Sequence, residues 1–176
     1  MSELAELVGS RVIDVPDFPQ PGIVFKDISP VLADPTAFRA AVDGIIAAQG
    51  GPGSFDVVAG IEARGFVLAA AVAYAAGVGV VPVRKVGKLP RETYAVSYEL
   101  EYGEATLEVH RDAFTAGQRV LVVDDVLATG GTARATLELV ERTGASVASL
   151  TVLLELSFLN GRDRLAGYPF HALLTV

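Results

Sequence analysis

The sequence contains no cysteine and no tryptophan, and only two of its 176 residues are histidines. Without cysteine, a disulfide scaffold, a zinc ribbon and a thiol nucleophile are all excluded. His110 and His171 alone are too few for a metal centre built mainly from histidines, so carboxylates would have to supply most ligands of any metal site. Any catalysis must therefore use carboxylates, lysines, arginines, tyrosines and backbone dipoles.

Basic residues are also scarce: 14 lysines and arginines stand against 21 aspartates and glutamates, which gives a net charge of −7. Because this charge repels polyanions, we expect no nucleic-acid partner. A phosphate-bearing ligand would have to be held by local geometry. With 176 residues, 51% of them hydrophobic, the chain is long enough to bury a full core. We therefore expect residues 1–176 to form a single domain.

One stretch lacks charge altogether: residues 65–83 carry none over 19 positions, which is close to the length of a membrane span. Gly77, Gly79 and Pro82 interrupt this stretch, so a helix, a glycine turn and a short buried strand fit it better than a membrane helix does. The first residues also lack the basic and then apolar pattern of a secretory signal. We therefore expect a cytoplasmic protein with no membrane contact.

Apolar runs rich in β-branched residues alternate with helical patterns along the chain. The runs typical of buried strands cover residues 57–61, 78–83, 120–123 and 147–154. There are three helical patterns. The first starts at an Asp34 N-cap followed by Pro35, the second covers residues 65–76, and the third runs from about 132 to 143. This alternation predicts an α/β fold with a mostly parallel central sheet flanked by helices, whose ligands bind at the carboxyl ends of the strands.

Two segments interrupt the alternation. Residues 15–32 contain four prolines and Gly22, which exclude a long regular element and indicate a packed loop layer. Residues 85–110 indicate a β-hairpin that turns near Tyr102 and Gly103. The start of this hairpin carries three cations around a glycine, which suits a mobile flap that closes over an anion. A solvated hairpin whose charges simply face water is the alternative.

The strongest chemical pattern lies where the apolar run 120–123 ends and the next helix begins. Gly130 and Gly131 allow backbone N–H groups to converge, and the start of the helix adds unpaired donors and a partial positive charge. The hydroxyls of Thr129 and Thr132 can supplement these donors. Residues 128–132 therefore predict a cradle for a phosphate group.

Two carboxylates, Asp124 and Asp125, come directly before this cradle. They can accept hydrogen bonds from a vicinal diol or from a hydrated magnesium ion. Together with the cradle they predict a sugar-phosphate site. The alternative is that the two aspartates merely cap the strand, but clustered carboxylates without a ligand are energetically costly.

Two other nucleotide-binding patterns are absent from the sequence. A P-loop needs G-x-x-x-x-G-K-[ST], whereas Gly87-Lys88 is followed by Leu89. A dinucleotide-binding turn needs G-x-G-x-x-G, whereas Gly77-Val78-Gly79 continues into a β-branched run. A P-loop triphosphatase is therefore excluded and a Rossmann dinucleotide site is unsupported.

Five segments together resemble a known family. Residues 122–132, VVDDVLATGGT, resemble the phosphoribosyl pyrophosphate motif of the type I phosphoribosyltransferases. Four more segments are similar to the adenine phosphoribosyltransferase family: FPQPGIVFKDISP at 18–30, ARGF at 63–66, RKVGKLP at 84–90 and SYELEYG at 97–103. The resemblance covers nearly the whole chain and implies a type I phosphoribosyltransferase fold, with an N-terminal hood at about 1–32 and a β-hairpin flap at about 85–110.

The resemblance implies a purine salvage reaction in which ribose 5-phosphate passes from phosphoribosyl pyrophosphate to N9 of adenine. The products are AMP and pyrophosphate, the cofactor is Mg²⁺ carried by phosphoribosyl pyrophosphate near Asp124 and Asp125, and the enzyme is a homodimer. Asp124 and Asp125 would hold the ribose hydroxyls. The 5-phosphate would lie on the backbone of Ala128, Thr129, Gly130, Gly131 and Thr132.

The same resemblance assigns the pyrophosphate and base sites. Pyrophosphate would contact Arg64, Lys88 and Tyr102, with Arg84 in support, and the Glu62–Ala63 peptide bond would be cis. Adenine would stack on Phe25, be read by the backbone of Val24 and Lys26, and meet Val126 on its other side. Glu101 would hydrogen-bond N7 and assist the proton shift, so the catalytic residues would be Glu101, Arg64 and Tyr102.

Two positions differ from the common family pattern, and two other functions stay open. Lys26 replaces an arginine that acts through its backbone, and Val126 replaces a leucine and so loosens the pocket slightly. The alternatives are a phosphoribosyltransferase for another base, which the hood segment disfavours, and a transcriptional regulator that senses phosphoribosyl pyrophosphate. The acidic chain and short N-terminal part disfavour the regulator.

Overall fold

A seven-stranded sheet organises the fold in the computed structural model, which describes residues 3–99 and 103–176. The elements are, in chain order, α1 (Glu3–Gly9), β1 (Ile13–Pro16), β2 (Val24–Asp27), α2 (Ser29–Ala33), α3 (Pro35–Ala48), β3 (Val57–Ile61), α4 (Gly65–Ala76), β4 (Gly79–Lys85), β5 (Thr93–Glu99), β6 (Glu104–His110), β7 (Arg119–Leu127), α5 (Gly131–Arg142), β8 (Ser146–Glu155) and β9 (Phe170–Thr175). Short 3₁₀ turns cover Ser157–Leu159 and Gly161–Leu165.

The sheet is mostly parallel, as the alternation of strands and helices predicts. Its strand order is β5-β6-β4-β3-β7-β8-β9, and β4, β3, β7, β8 and β9 pair in parallel. At one edge, β6 pairs antiparallel with both β4 and β5. The carboxyl ends of β3 and β7 lie side by side, so the residues that follow these strands meet at one place.

Two hydrophobic layers cover the faces of the sheet. Val58, Leu121 and Val123 pack with the helices α1 to α4, whereas Ala59 and Val122 pack with α5. The alternation follows from the period of two in a β-strand. Because all five residues of β3 are buried, its sequence is apolar throughout.

The predicted helices form, and the first of them has the predicted N-cap. The Asp34 carboxylate accepts hydrogen bonds from the N–H groups of Thr36 at 2.8 Å and Ala37 at 2.9 Å. Helix α4 spans the predicted residues and is capped by Gly77, whose φ of 73° is left-handed. Helix α5 starts one residue earlier than predicted, at Gly131, and is followed by the left-handed Gly144.

Three features differ from the sequence predictions. Strand β7 continues past the apolar run through Asp124 to Leu127, because β8 extends alongside and pairs with these residues. The proline-rich segment is not purely a loop layer, since β1 and β2 form a two-stranded antiparallel sheet with Pro16 at its end. Helix α1 and edge strand β9 lie outside all the predicted elements.

The predicted hairpin is present. Strands β5 and β6 pair from Thr93↔His110 to Glu99↔Glu104, and residues 100–102 at the turn lie outside the described residues. In the part of the chain that the structure describes, no helix combines the length and the apolar character that a membrane crossing requires.

Candidate functional site

A cavity of about 490 Å³ opens at the carboxyl ends of β3 and β7. Its floor is the turn between β7 and α5, and its roof comes from β2. The residues that line it are Ile23, Val24, Phe25, Lys26, Glu62, Ala63, Arg64, Asp124, Asp125, Val126, Leu127, Ala128, Thr129, Gly130, Gly131, Thr132, Ala133, Val152, Leu156 and Leu159. This is the position at which parallel sheets bind ligands.

The floor of the cavity has the geometry of an anion cradle. Gly130 is the N-cap of α5 and has a φ of 84°, a conformation that glycine adopts at little cost. The N–H groups of the first turn of α5 lack helical partners on their N-terminal side. A phosphate group on these donors would also be stabilised by the helix dipole.

Two close contacts fix the shape of this turn. A Cβ atom at Gly161 would overlap the carbonyl oxygen of Ala128 and lie 3.0 Å from the nitrogen of Gly130. On the other side, a Cβ atom at Gly131 would lie 2.9 Å from the Tyr98 ring. The Thr132 hydroxyl donates to the Tyr98 hydroxyl at 3.0 Å. The cradle is thus held between the Gly161–Leu165 turn and strand β5.

The two predicted carboxylates lie beside the cradle and next to each other. The Asp125 N–H donates to Oδ1 of Asp124 at 2.9 Å, and Asp125 is buried, with 5% exposed. Burial of the Asp124 carboxyl, and secondarily the negative charge of Asp125, raise the pKa of Asp124 well above its usual value. Gly65 allows α4 to approach them, because a Cβ atom there would lie 2.7 Å from Asp124 Oδ1.

A third carboxylate, Glu62, connects the predicted pyrophosphate residues. The Glu62–Ala63 peptide bond is cis, as the family resemblance implies. Glu62 pairs with Nζ of Lys88 and lies 3.4 Å from Nε of Arg84, and it accepts a hydrogen bond from the Lys85 N–H at 3.0 Å. The Lys88 ammonium is the main reason why the pKa of Glu62 is lowered. The sequence analysis missed this carboxylate because its partners are more than 20 positions away.

The roof of the cavity is built around Phe25. Its ring packs edge-to-face on Phe18 at 5.1 Å, and Cζ of Arg64 lies 4.9 Å from its centroid. Lys26 is anchored away by Asp14, whose two oxygens lie 2.7 and 2.8 Å from its Nζ. The Lys26 side chain is therefore engaged, which suits the prediction that this residue acts through its backbone.

Most predicted site residues line this cavity. Those lining it are Val24, Phe25, Lys26, Arg64, Asp124, Asp125, Val126, Ala128, Thr129, Gly130, Gly131 and Thr132. Arg84 and Lys88 are not in the lining but reach it through Glu62. The predicted catalytic residues Glu101 and Tyr102 lie outside the described residues.

Several apolar lining residues escaped the sequence analysis. Leu156 and Leu159 follow the carboxyl end of β8, and Val152 lies on that strand next to Asp124. The sequence did contain a signal for these residues, because strand β8 was predicted and parallel strands bring their carboxyl ends to one edge of the sheet. The segment after β8 carries no recognisable chemical motif.

Comparison with known proteins places the chain in a family. The model of the phosphoribosyl transferase domain matches residues 33–168. An adenine phosphoribosyltransferase of Salinispora tropica is 71% identical over 174 residues, which cover 99% of this chain and 92% of that protein. This chain belongs to the adenine phosphoribosyltransferase family.

Solved structures of this family share the whole fold. The crystal structure of adenine phosphoribosyltransferase from Thermoanaerobacter pseudethanolicus is 50% identical, with a TM-score of 0.94 over 98% of this chain and 99% of that chain. The enzyme from Saccharomyces cerevisiae, crystallised with an imino-altritol bisphosphate and adenine, is 37% identical, with a TM-score of 0.92 over 98% and 99% of the two chains. The type I phosphoribosyltransferase fold predicted from the sequence is therefore confirmed.

Proposed function

We propose that this chain transfers the 5-phosphoribosyl group of phosphoribosyl pyrophosphate to adenine, as an enzyme of purine salvage. The bond between C1 of the ribose and the pyrophosphate oxygen breaks, N9 of adenine bonds to C1, and the imidazole ring of adenine loses a proton. The products are AMP and pyrophosphate. The observation that carries the proposal is one cavity with an anion cradle and two acids on its floor and an aromatic ring in its roof.

Each part of the cavity suits one part of the substrates. Asp124 and Asp125 would accept hydrogen bonds from the ribose hydroxyls, while the cradle at residues 128–132 holds the 5-phosphate. Phe25 would stack on adenine, with Val126 as the opposite wall. The backbone of Val24 and Lys26 would read the edge of the base.

Pyrophosphate would lie beside the basic residues at the edge of the cavity. Arg64 lines the cavity directly, and Lys88 and Arg84 stand around Glu62. Tyr102 completes this set in our proposal, and Glu101 would hydrogen-bond N7 of adenine and assist the departure of its proton. Closure of the hairpin over the cavity would exclude water from the cationic centre that develops at C1.

The residues fit a magnesium ion that arrives with the substrate. Among residues 3–99 and 103–176 no group of three histidine or acidic side chains forms a metal cage. Mg²⁺ typically binds substrate phosphates and keeps several waters. Asp124 and Asp125 would accept hydrogen bonds from such waters, and the bound ion would neutralise charge on the leaving pyrophosphate.

A direct assay tests the proposal. The protein is mixed with Mg²⁺, phosphoribosyl pyrophosphate and one base at a time, and nucleotide formation is followed by chromatography. We expect AMP from adenine and little product from hypoxanthine, guanine, xanthine or orotate. Product from another base but not from adenine would favour a different phosphoribosyltransferase. Binding of phosphoribosyl pyrophosphate without any turnover would favour the sensor.

We also propose that the protein is cytoplasmic and a homodimer. The family resemblance supports both points. The homodimer is further supported by an exposed apolar face on α4, where Tyr74 is 90% and Val67 46% exposed. A soluble protein rarely leaves such side chains together in water, so a second copy of the chain is the proposed partner.

A further inference from the structure

Glu108 is a buried carboxylate that the proposed reaction does not use. It lies on β6 and is only 4% exposed. Its oxygens accept hydrogen bonds from the N–H groups of Lys88 and Leu89, both at 3.0 Å, and from the Thr93 hydroxyl at 3.3 Å. Burying a charge is costly unless it is well hydrogen-bonded, and these three donors supply the hydrogen bonds that make the burial of this carboxylate acceptable.

The two basic residues that adjoin Glu108 form their ion pairs with another carboxylate. Arg84 is its register partner on β4, yet Arg84 and Lys88 both pair with Glu62. The carboxylate is therefore directed at the backbone of the segment that follows β4. A charged acceptor on neutral N–H groups gives stronger hydrogen bonds than a neutral acceptor would.

The backbone of Lys88 is consequently fixed on both sides. Gly87, with a φ of 84°, turns the chain so that two successive N–H groups face one oxygen of Glu108. On the other side, the carbonyl oxygen of Lys88 accepts a hydrogen bond from Nη1 of Arg84 at 3.4 Å. The Lys88 ammonium therefore extends from an anchored main chain towards the cavity edge.

We propose that Glu108 is a positioning residue that holds the backbone of Lys88 so that the ammonium group can bind pyrophosphate. The inference rests on the proposed function, in which Lys88 contacts pyrophosphate. Without this anchor the segment 87–89 would gain conformational freedom, and binding would have to remove it again. The base site is built from other residues, Val24, Phe25, Lys26 and Val126, and we expect it to be unaffected.

Two substitutions of Glu108 separate positioning from general destabilisation. Glu108→Leu removes both acceptors and leaves the partly buried N–H groups of Lys88 and Leu89 without their partner. Glu108→Gln keeps an amide oxygen for the two N–H groups, and its NH₂ can donate to the Thr93 hydroxyl. We expect Glu108→Leu to weaken binding of magnesium pyrophosphate about tenfold or more by calorimetry, and Glu108→Gln to stay within about threefold of the unsubstituted protein.

Steady-state kinetics gives a second readout. For Glu108→Leu we expect the KM for phosphoribosyl pyrophosphate to rise about tenfold while the KM for adenine stays within about twofold. In a Lys88→Ala background the same substitution should add less than about twofold, because the side chain that it positions is gone. Asp112→Asn is the matched control, because Asp112 is exposed and pairs with Arg91, which like Lys88 lies between β4 and β5.

Several results would overturn this inference. Unchanged pyrophosphate affinity in Glu108→Leu, an equal loss in Glu108→Gln, or an equal rise in both KM values would each contradict it. If Glu108→Leu does not fold, Glu108→Asp, which withdraws the charge by one methylene group, must show the same selective loss. Absence of AMP formation by the unsubstituted protein would instead reject the proposed function itself.

Discussion

Nε of Arg64 lies 2.7 Å from Oδ2 of Asp125, which joins the proposed pyrophosphate and ribose sites through one ion pair. The contact does not have hydrogen-bond geometry, and Oδ2 of Asp125 is buried without a hydrogen-bond partner in the described structure. Asp125 lines the cavity, and its Oδ2 keeps acceptor capacity beyond the ion pair with Arg64. A ribose hydroxyl is a suitable donor for it.

Asp125→Asn should weaken the binding of phosphoribosyl pyrophosphate. The substitution replaces a charged acceptor by a neutral one, and a hydrogen bond to a charged group contributes about 1.5–3 kcal/mol. We expect the KM for phosphoribosyl pyrophosphate to rise about tenfold or more at saturating adenine. Asp56→Asn is the control, because Asp56 pairs with Arg119 at the opposite ends of the strands. An unchanged KM would remove Asp125 from the ribose site.

Asp124→Asn should stabilise the ligand-free protein at neutral pH. The raised pKa of Asp124 means that ionisation costs folding free energy, and this cost grows as the pH rises above the unfolded value of 3.8. Asparagine removes the cost and keeps an acceptor for the Asp125 N–H. We expect Tm to rise by at least about 2 °C at pH 7, and the gain to vanish towards pH 4.

Calorimetry in EDTA without substrates measures the change in Tm for Asp124→Asn. Asp56→Asn is the comparison variant and should change stability in the opposite direction. The hydrogen bond from the Arg119 side chain is the main cause that lowers the pKa of Asp56 to about 2. That carboxylate therefore stabilises the fold above pH 3.8 and loses its effect as the pH falls to about 2. A gain for Asp124→Asn that does not depend on pH would contradict the assigned cause.

Gly161→Ala should distort the anion cradle without touching a ligand. Gly161 lies outside the left-handed region of φ, so alanine is acceptable for its own backbone, but the new Cβ atom would overlap the carbonyl oxygen of Ala128. We expect the KM for phosphoribosyl pyrophosphate to rise about tenfold, because a small misplacement of binding groups is costly. Gly9→Ala, whose nearest neighbours are Leu174 methyl groups at 3.6 Å, should change neither KM. Equal behaviour of the two variants would contradict the role of Gly161.

The difference between what the sequence predicted and what it missed follows from sequence distance. Asp124, Asp125 and the cradle are adjacent in the chain, so strand periodicity and glycine placement were enough to predict them. Gly161 meets the cradle only after β8 and the following turn fold back onto it. Glu108 meets Lys88 only through the pairing of β6 with β4. Such contacts depend on register, which a local pattern does not contain.

Phe25→Ala should weaken adenine binding selectively. Stacking of a base on an aromatic ring is worth about 1–3 kcal/mol, which corresponds to a rise in the KM for adenine of roughly 5- to 150-fold. The KM for phosphoribosyl pyrophosphate should change by less than about threefold, because only the contact with Arg64 is shared. Phe18→Leu removes only the supporting edge-to-face contact and should have a smaller effect. A larger effect of Phe18→Leu would place adenine elsewhere.

Helix α4 is apolar both on the side that faces the core and on the side that is exposed, and this motivates a test of the proposed dimer. Its residues include no charged side chain. Leu68, Ala69, Val72 and Ala73 are buried in the core beneath the helix. Val67 and Tyr74 face outwards, and Val80 on the adjoining strand β4 is 45% exposed. A helix that is apolar all round is normally buried.

Tyr74→Glu should therefore convert a dimer into monomers. The charge would have to be buried at the centre of the interface without a partner, which is costly, whereas on a free surface it would be harmless. Light scattering after size exclusion should give the mass of two chains for the unsubstituted protein and of one chain for the variant. Ile13→Glu, at another exposed apolar residue, should stay dimeric. A dimer that tolerates Tyr74→Glu would exclude this face as the interface.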